Sequence, residues 1–176
     1  MLSLVLVALL ARSGLAAPFV FTPIDVPGSR GTSAQDINNA GTIVGVFSAS
    51  LPAPVRQGFL LNGSAFTTIN VPDALRTAPT NINGRGDVVG FFRDATGTDR
   101  GFLFSGGTFT PIEQAGASAT FANGINDNGQ IVGQFVQLAP AADRHQDAGG
   151  TFLLEARLNE AASRQTLSRV RWRQCV

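Results

Sequence analysis

The sequence predicts an all-β protein built from tandem four-stranded antiparallel repeats, forming a partial β-propeller-like array. Three observations carry this expectation. The phrase x-I-N-x-x-G-x-[IV]-V-G-x-F occurs three times, as DINNAGTIVGVF (36–47), NINGRGDVVGFF (81–92) and GINDNGQIVGQF (124–135), at offsets of 45 and 43 residues. Two further phrases keep the same order: FTPIDVP, FTTINVP and FTPIE from Phe21, Phe66 and Phe109, then GFLL, GFLF and TFLL at 58, 101 and 151. Composition agrees, since 20 glycines and 13 phenylalanines suit short strands joined by many turns. A period of this length marks one supersecondary unit that buries its faces by stacking on its neighbours.

Residues 1–17, MLSLVLVALLARSGLAA, read as a signal peptide. Gly14 and Ala16 fit the small-x-small pattern of a cleavage site after Ala16 or Ala17, and the apolar run of roughly ten residues is too short to span a bilayer. No cation precedes the run, and Arg12 interrupts its far end. The expected location is secreted or periplasmic, with no transmembrane segment in the mature chain.

Residues 18–155 hold three repeats. Phe21–Val26 reads as the final strand of a unit. In the first full unit a strand ends at Ile37 and residues 38–41 turn. The Asn38 side chain can fold back on nearby amides, and Gly41 supplies a positive φ. The next strand places Ile43, Gly45 and Phe47 on one face and Val44 and Val46 on the other. Both faces are apolar, so the strand is expected to be buried on both sides, between stacked sheets. Gly45 removes a side chain so that a neighbouring sheet or a phenylalanine can approach. Gly86, Gly90, Asn83 and Phe92 hold the same places in the second unit, and Asn126, Gly129, Gly133 and Phe135 in the third. After a variable loop come the GFLL strand, a short turn and the FTTI strand. Residues 156–176 diverge and read as a helical or disordered tail; its arginines (157, 164, 169, 171, 173) are diluted by Glu155 and Glu160.

These phrases resemble the HAF repeats of bacterial extracellular proteins over residues 19 to about 154. The resemblance implies an extracellular, propeller-like architecture and carries no catalytic motif. Pairing Phe21–Val26 with Phe152–Leu154 would complete a third unit and close a threefold β-prism or β-trefoil-like body. The favoured reading is an open arc, whose uncovered terminal faces would drive self-association.

Chemistry is sparse. A net charge of +1 with 14% charged residues and no lysine gives no field for nucleic acid. One cysteine, Cys175, excludes an internal disulfide framework, and with one histidine, His145, no zinc site of four N/S ligands can form. His145 lies in a loop without a serine-nucleophile context. Segments 126–129 and 36–41 faintly resemble calcium loops, but lack alternating carboxylates and a closing glutamate, so Asx turns account for them and no cofactor is expected. Asn62-Gly63-Ser64 is formally a glycosylation acceptor and reads as a hairpin turn. The variable loops, led by RDATGTDR (93–100), point to a non-enzymatic module that binds a glycan or protein. The rival reading is a carbohydrate-active hydrolase or lyase using Asp94, Asp99, Asp143 and Asp147. A third makes the chain a structural or truncated repeat fragment.

Overall fold

The computed structural model describes residues 19–49, 56–137, 148–155 and 173–174. Among them lie twelve strands and no helix: β1 (Gly31–Ile37), β2 (Ile43–Ser48), β3 (Arg56–Asn62), β4 (Ala65–Ile69), β5 (Arg76–Ile82), β6 (Val88–Arg93), β7 (Asp99–Ser105), β8 (Thr108–Ile112), β9 (Ala119–Ile125), β10 (Gln130–Gln137), β11 (Ala148–Glu155) and β12 (Arg173–Gln174). They form three four-stranded antiparallel sheets, ordered β1-β2-β3-β4, β5-β6-β7-β8 and β9-β10-β11-β12. Each sheet is one sequence repeat. The all-β tandem array read from the periodic phrases is therefore what the chain builds.

Each first turn follows from its asparagine. Asn38 Oδ1 accepts the N–H groups of Ala40 (3.1 Å) and Thr42 (3.0 Å), and Gly41 closes the turn at φ 79°. Asn83 with Gly86, and Asn126 with Gly129, repeat this arrangement.

Alternation along each strand sorts side chains between two joints. Val44 and Ile69 of the first sheet meet Ile82, Val88 and Phe102 of the second. Val89, Leu103 and Ile112 on the other side of the second sheet meet Ala122, Ile131, Phe152 and Leu154 of the third. Each of these cores joins consecutive sheets. Closure into a threefold body is not what the described residues form: the array is open, with the second sheet in the middle.

Hydrogen bonds cross the same joints along one edge. Asn38 Nδ2 donates to the Asn83 carbonyl (3.0 Å), and Asn83 Nδ2 donates to the Asn126 carbonyl (3.2 Å). Asp36 Oδ2 accepts from Asn81 Nδ2 (2.6 Å) and the Ile82 N–H (2.9 Å), and Asn81 Oδ1 accepts the Ile125 N–H (2.8 Å). Asn126 turns back instead, donating to Gln130 Oε1 at 2.7 Å.

Four details correct the sequence reading. Phe21–Val26 is not a strand; the segment runs irregularly, with Ile24 and Val26 packed on Phe47, Phe59 and Leu61 of the first sheet. A strand needs a neighbour for its backbone groups, and none lies beside this segment among the described residues. Burial on both faces holds in the middle sheet but not the third, where Val132 is 49% exposed while its equivalents Val44 and Val89 are 0% exposed.

Of the two approaches read for the glycine of the VGxF phrase, Gly45 and Gly133 admit a phenylalanine and not a neighbouring sheet. A Cβ at Gly45 would collide with the Ser33 carbonyl oxygen of the same sheet and lie 2.8 Å from the Phe59 ring. Gly133 makes the same room for Phe121 and Phe152, and Gly90 for the backbone of Ala78 and Pro79. The close approach between sheets occurs at the next glycine, Gly58, where a Cβ would sit 2.8 Å from the Pro79 ring. Finally, of the tail expected to be helical or disordered, Arg173–Gln174 is a strand, pairing with Leu153 and Phe152. The signal peptide, His145, Cys175, Asp143 and Asp147 lie outside the described residues.

Candidate functional site

Up-and-down order puts the β6–β7 loop at the same end of the sheets as the connectors between them. The connectors share one construction. In each, a threonine six residues downstream holds a backbone N–H: Thr32 to Val26 (3.0 Å), Thr77 to Val71 (3.0 Å) and Thr120 to Gln114 (3.3 Å). A threonine recurs four positions before each phrase that starts at 36, 81 and 124, a signal the sequence reading missed, and its role needs the register.

The described loop, residues 94–98, is an Asx turn in its own right. Asp94 Oδ1 accepts the Thr96 and Thr98 N–H groups (2.9 Å each) and the Thr96 hydroxyl (2.6 Å). Its Oδ2 accepts Arg100 Nε at 2.7 Å, and Arg100 Nη1 reaches Glu113 Oε2 at 2.9 Å. Asp99 takes two guanidinium groups: Arg76 Nη2 at 2.9 Å on Oδ1 and Arg93 Nη2 at 2.8 Å on Oδ2. Arg76 also lies over the Phe91 ring, 5.3 Å from its centre. Arg76, Arg93 and Asp99 meet because β5, β6 and β7 are neighbours with Arg76 opposite Arg93 and Arg93 opposite Asp99. Sequence spacing alone does not bring them together.

Both acids are held ionised. The Thr96 hydroxyl, Arg100 and the Thr98 amide keep Asp94 far below the ordinary carboxylate value. Burial pushes Asp99 up, but the hydrogen bonds from Arg93 and Arg76 outweigh it and leave the carboxyl low. A glycosidase pair needs one carboxyl raised so that it can donate a proton, and neither residue is placed to do so.

Beside this network a groove of about 440 Å³ opens between the second and third sheets. Thr98, Asp99, Arg100, Glu113, Gln114 and Thr120 contribute to its wall. Gln114 Oε1 is a buried acceptor without a partner, as Arg76 Nε nearby is a buried donor without one. The arrangement offers fixed donors and acceptors on a rigid frame.

The repeat-signature residues, by contrast, are structural: Asn38, Asn83 and Asn126 are consumed by their own turns, which leaves their side-chain oxygens no freedom to ligate calcium. Asn62 ends β3 at a two-residue hairpin with Gly63 at φ 60°, as its sequence predicted. Among the described residues no helix is long and apolar enough to cross a membrane, and no three histidine, cysteine or acidic groups converge as a metal site. No protein family, no curated protein and no solved structure matches the chain.

Proposed function

We propose that the chain is a secreted, non-enzymatic binding module whose loop end holds a glycan or protein ligand. The observation that carries the reading is the polar groove at the joint of the second and third sheets, walled by Arg100, Glu113 and Gln114. Polyhydroxylated ligands are bound by such preset donors and acceptors, and Gln114 Oε1 is an acceptor that a ligand hydroxyl would satisfy. The frame costs little to order on binding, because stacked sheets hold the walls in place beforehand.

A glycan-array screen of the purified chain tests it. The expected result is retention of one class of sugar polymer, lost in Arg100→Ala and in Glu113→Ala. Equal retention by both variants would remove the groove from consideration. The rival hydrolase reading is addressed by Asp94→Asn with Asp99→Asn: cleavage of a polymer that disappears in this pair would replace binding with catalysis. Export, which the apolar leader and the HAF resemblance support, predicts a mature N-terminus at Ala17 or Pro18. Mass spectrometry of the periplasm or medium reads this directly, and an intact Met1 there refutes it.

A further inference from the structure

The two ends of the array are unfinished halves of one joint. On the first sheet, Ile37 is 60% exposed, whereas its equivalents Ile82 and Ile125 are 4% and 9% exposed because a preceding sheet covers them. On the third sheet, Val132 is exposed where Val44 and Val89 are sealed by a following sheet. Among the described residues, a preceding sheet is what the first lacks, and a following sheet is what the third lacks.

The N-terminal segment says how they fit. Its FTPI (21–24) repeats the FTTI of β4 and the FTPI of β8. Ile24 and Val26 already pack on the first sheet, as Ile69 and Val71 pack in the joint to the second. Thr32 clamps Val26 as Thr77 clamps Val71. Yet Phe19, Val20 and Phe21 are 92%, 87% and 91% exposed. The segment thus holds the place of a fourth strand, docked on the following sheet but without a third strand beside it. The third sheet has the reverse deficiency. Among the described residues its β11 is paired on the outer edge at Phe152 and Leu153, whereas β3 and β7 are each paired along five residues.

We propose that residues 21–24 of one copy add beside β11 of a second copy, joining the third sheet of one chain to the first sheet of the next. The register follows from the second sheet, where Gly101 faces Ile112, Phe102 faces Pro111, Leu103 faces Thr110 and Phe104 faces Phe109. Carried over, Thr151 faces Ile24, Phe152 faces Pro23, Leu153 faces Thr22 and Leu154 faces Phe21. Pro23 falls where Pro111 is already accommodated, so its missing N–H costs this pairing nothing new. The strand displaces Arg173–Gln174 from the same edge. Two copies joined head to tail supply six sheets, within the about four to eight that close a ring.

The joint between copies is weaker than those within one chain. Gly124 stands where Asp36 and Asn81 carry bonds to the next sheet, and Gln134 and Thr151 stand where Val46 or Phe91 and Gly58 or Gly101 do. The partner position opposite Thr151 is relaxed in turn, since Ala34 of the first sheet replaces the Pro79 that crowds Gly58.

The test mixes two populations of the chain, both carrying Cys175→Ser, one with Thr22→Cys and the other with Leu153→Cys. Oxidation is expected to give a disulfide-linked pair in the mixture, far above what either population forms alone. No excess in the mixture overturns the proposal. So does a double variant that forms the bond within one chain, since the ends would then meet inside a single copy. A second measurement does not depend on Leu153→Cys folding. Sedimentation of the unaltered chain is expected to show concentration-dependent pairing, weakened about tenfold or more by Phe21→Asp, which removes an apolar side chain buried only in the assembly. A single-chain mass at every concentration, or pairing indifferent to Phe21→Asp, overturns it.

Discussion

Gly90 is hemmed in by backbone alone, because a Cβ there would overlap the Ala78 carbonyl oxygen and lie 2.8 Å from the Pro79 Cα. Backbone cannot swing away as a side-chain tip can. Gly90→Val is expected to cost about 3 kcal/mol or more, read as a lowered denaturant midpoint, and an unchanged midpoint would contradict the packing. Asp87 sets a pH limit. Burial pushes its carboxyl up, but Ser105, Asn83 and Arg85 donate to it and hold it below the ordinary value, and Asp94 and Asp99 are depressed as well. A depressed folded pKa contributes stability that is complete above the unfolded value of about 4 and lost as pH falls through the folded one. Melting temperature should therefore hold steady from neutrality to about pH 5 and fall below about pH 4. Asp87→Asn should flatten that fall while lowering the neutral-pH melting temperature. At this scale the sequence was partly legible. The need for a small residue at Gly45, Gly90 and Gly133 was readable, but which atoms crowd it was not, because the crowding carbonyls belong to a strand whose register is irregular after Ala34 and Pro79.

Between elements, the Asn81 amide bridges both joints at once, donating to Asp36 and accepting from Ile125. Asn81→Ala should lower stability by about 1–3 kcal/mol, since it strands the Ile125 N–H and takes one of two donors from Asp36 Oδ2. Asn126→Ala should cost less, because its turn is exposed and its amide bonds only within that turn, to Asn128 and Gln130. Urea titrations of the two variants check the order, and a larger loss at Asn126 would reverse the ladder's logic. The repeat phrases gave the four strands of each unit in order because alternation and turn chemistry are local. Phe21–Val26 was misread for the same reason: its residues match β4 and β8, but a strand is defined by the neighbour it pairs with, and identity of residues does not supply one. The Arg76–Asp99–Arg93 network escaped for want of register, since its members lie on three adjacent strands.

For the molecule as a whole, the middle sheet is the one sheltered on both sides, with Val88, Val89 and Phe102 fully buried. Its amides should exchange with solvent most slowly, and slower exchange in β2 or β10 would argue against the stacking order. Ile24 and Val26 cover Phe47, Phe59 and Leu61. Replacing Ile24 and Val26 together by serine should lower the melting temperature and raise binding of a hydrophobic dye, as the first sheet loses its cover. The spacing of the bonds between sheets has a bearing on synthesis. The side-chain bonds that cross the joints link residues 42 to 46 positions apart, one repeat and no more. Among the described residues, these bonds wait for no more than the next repeat. As the chain leaves the ribosome, each sheet can dock on its predecessor once its own residues have emerged, an order of events that keeps unpaired edges briefly exposed and spares an all-β chain the slow search that distant pairings impose.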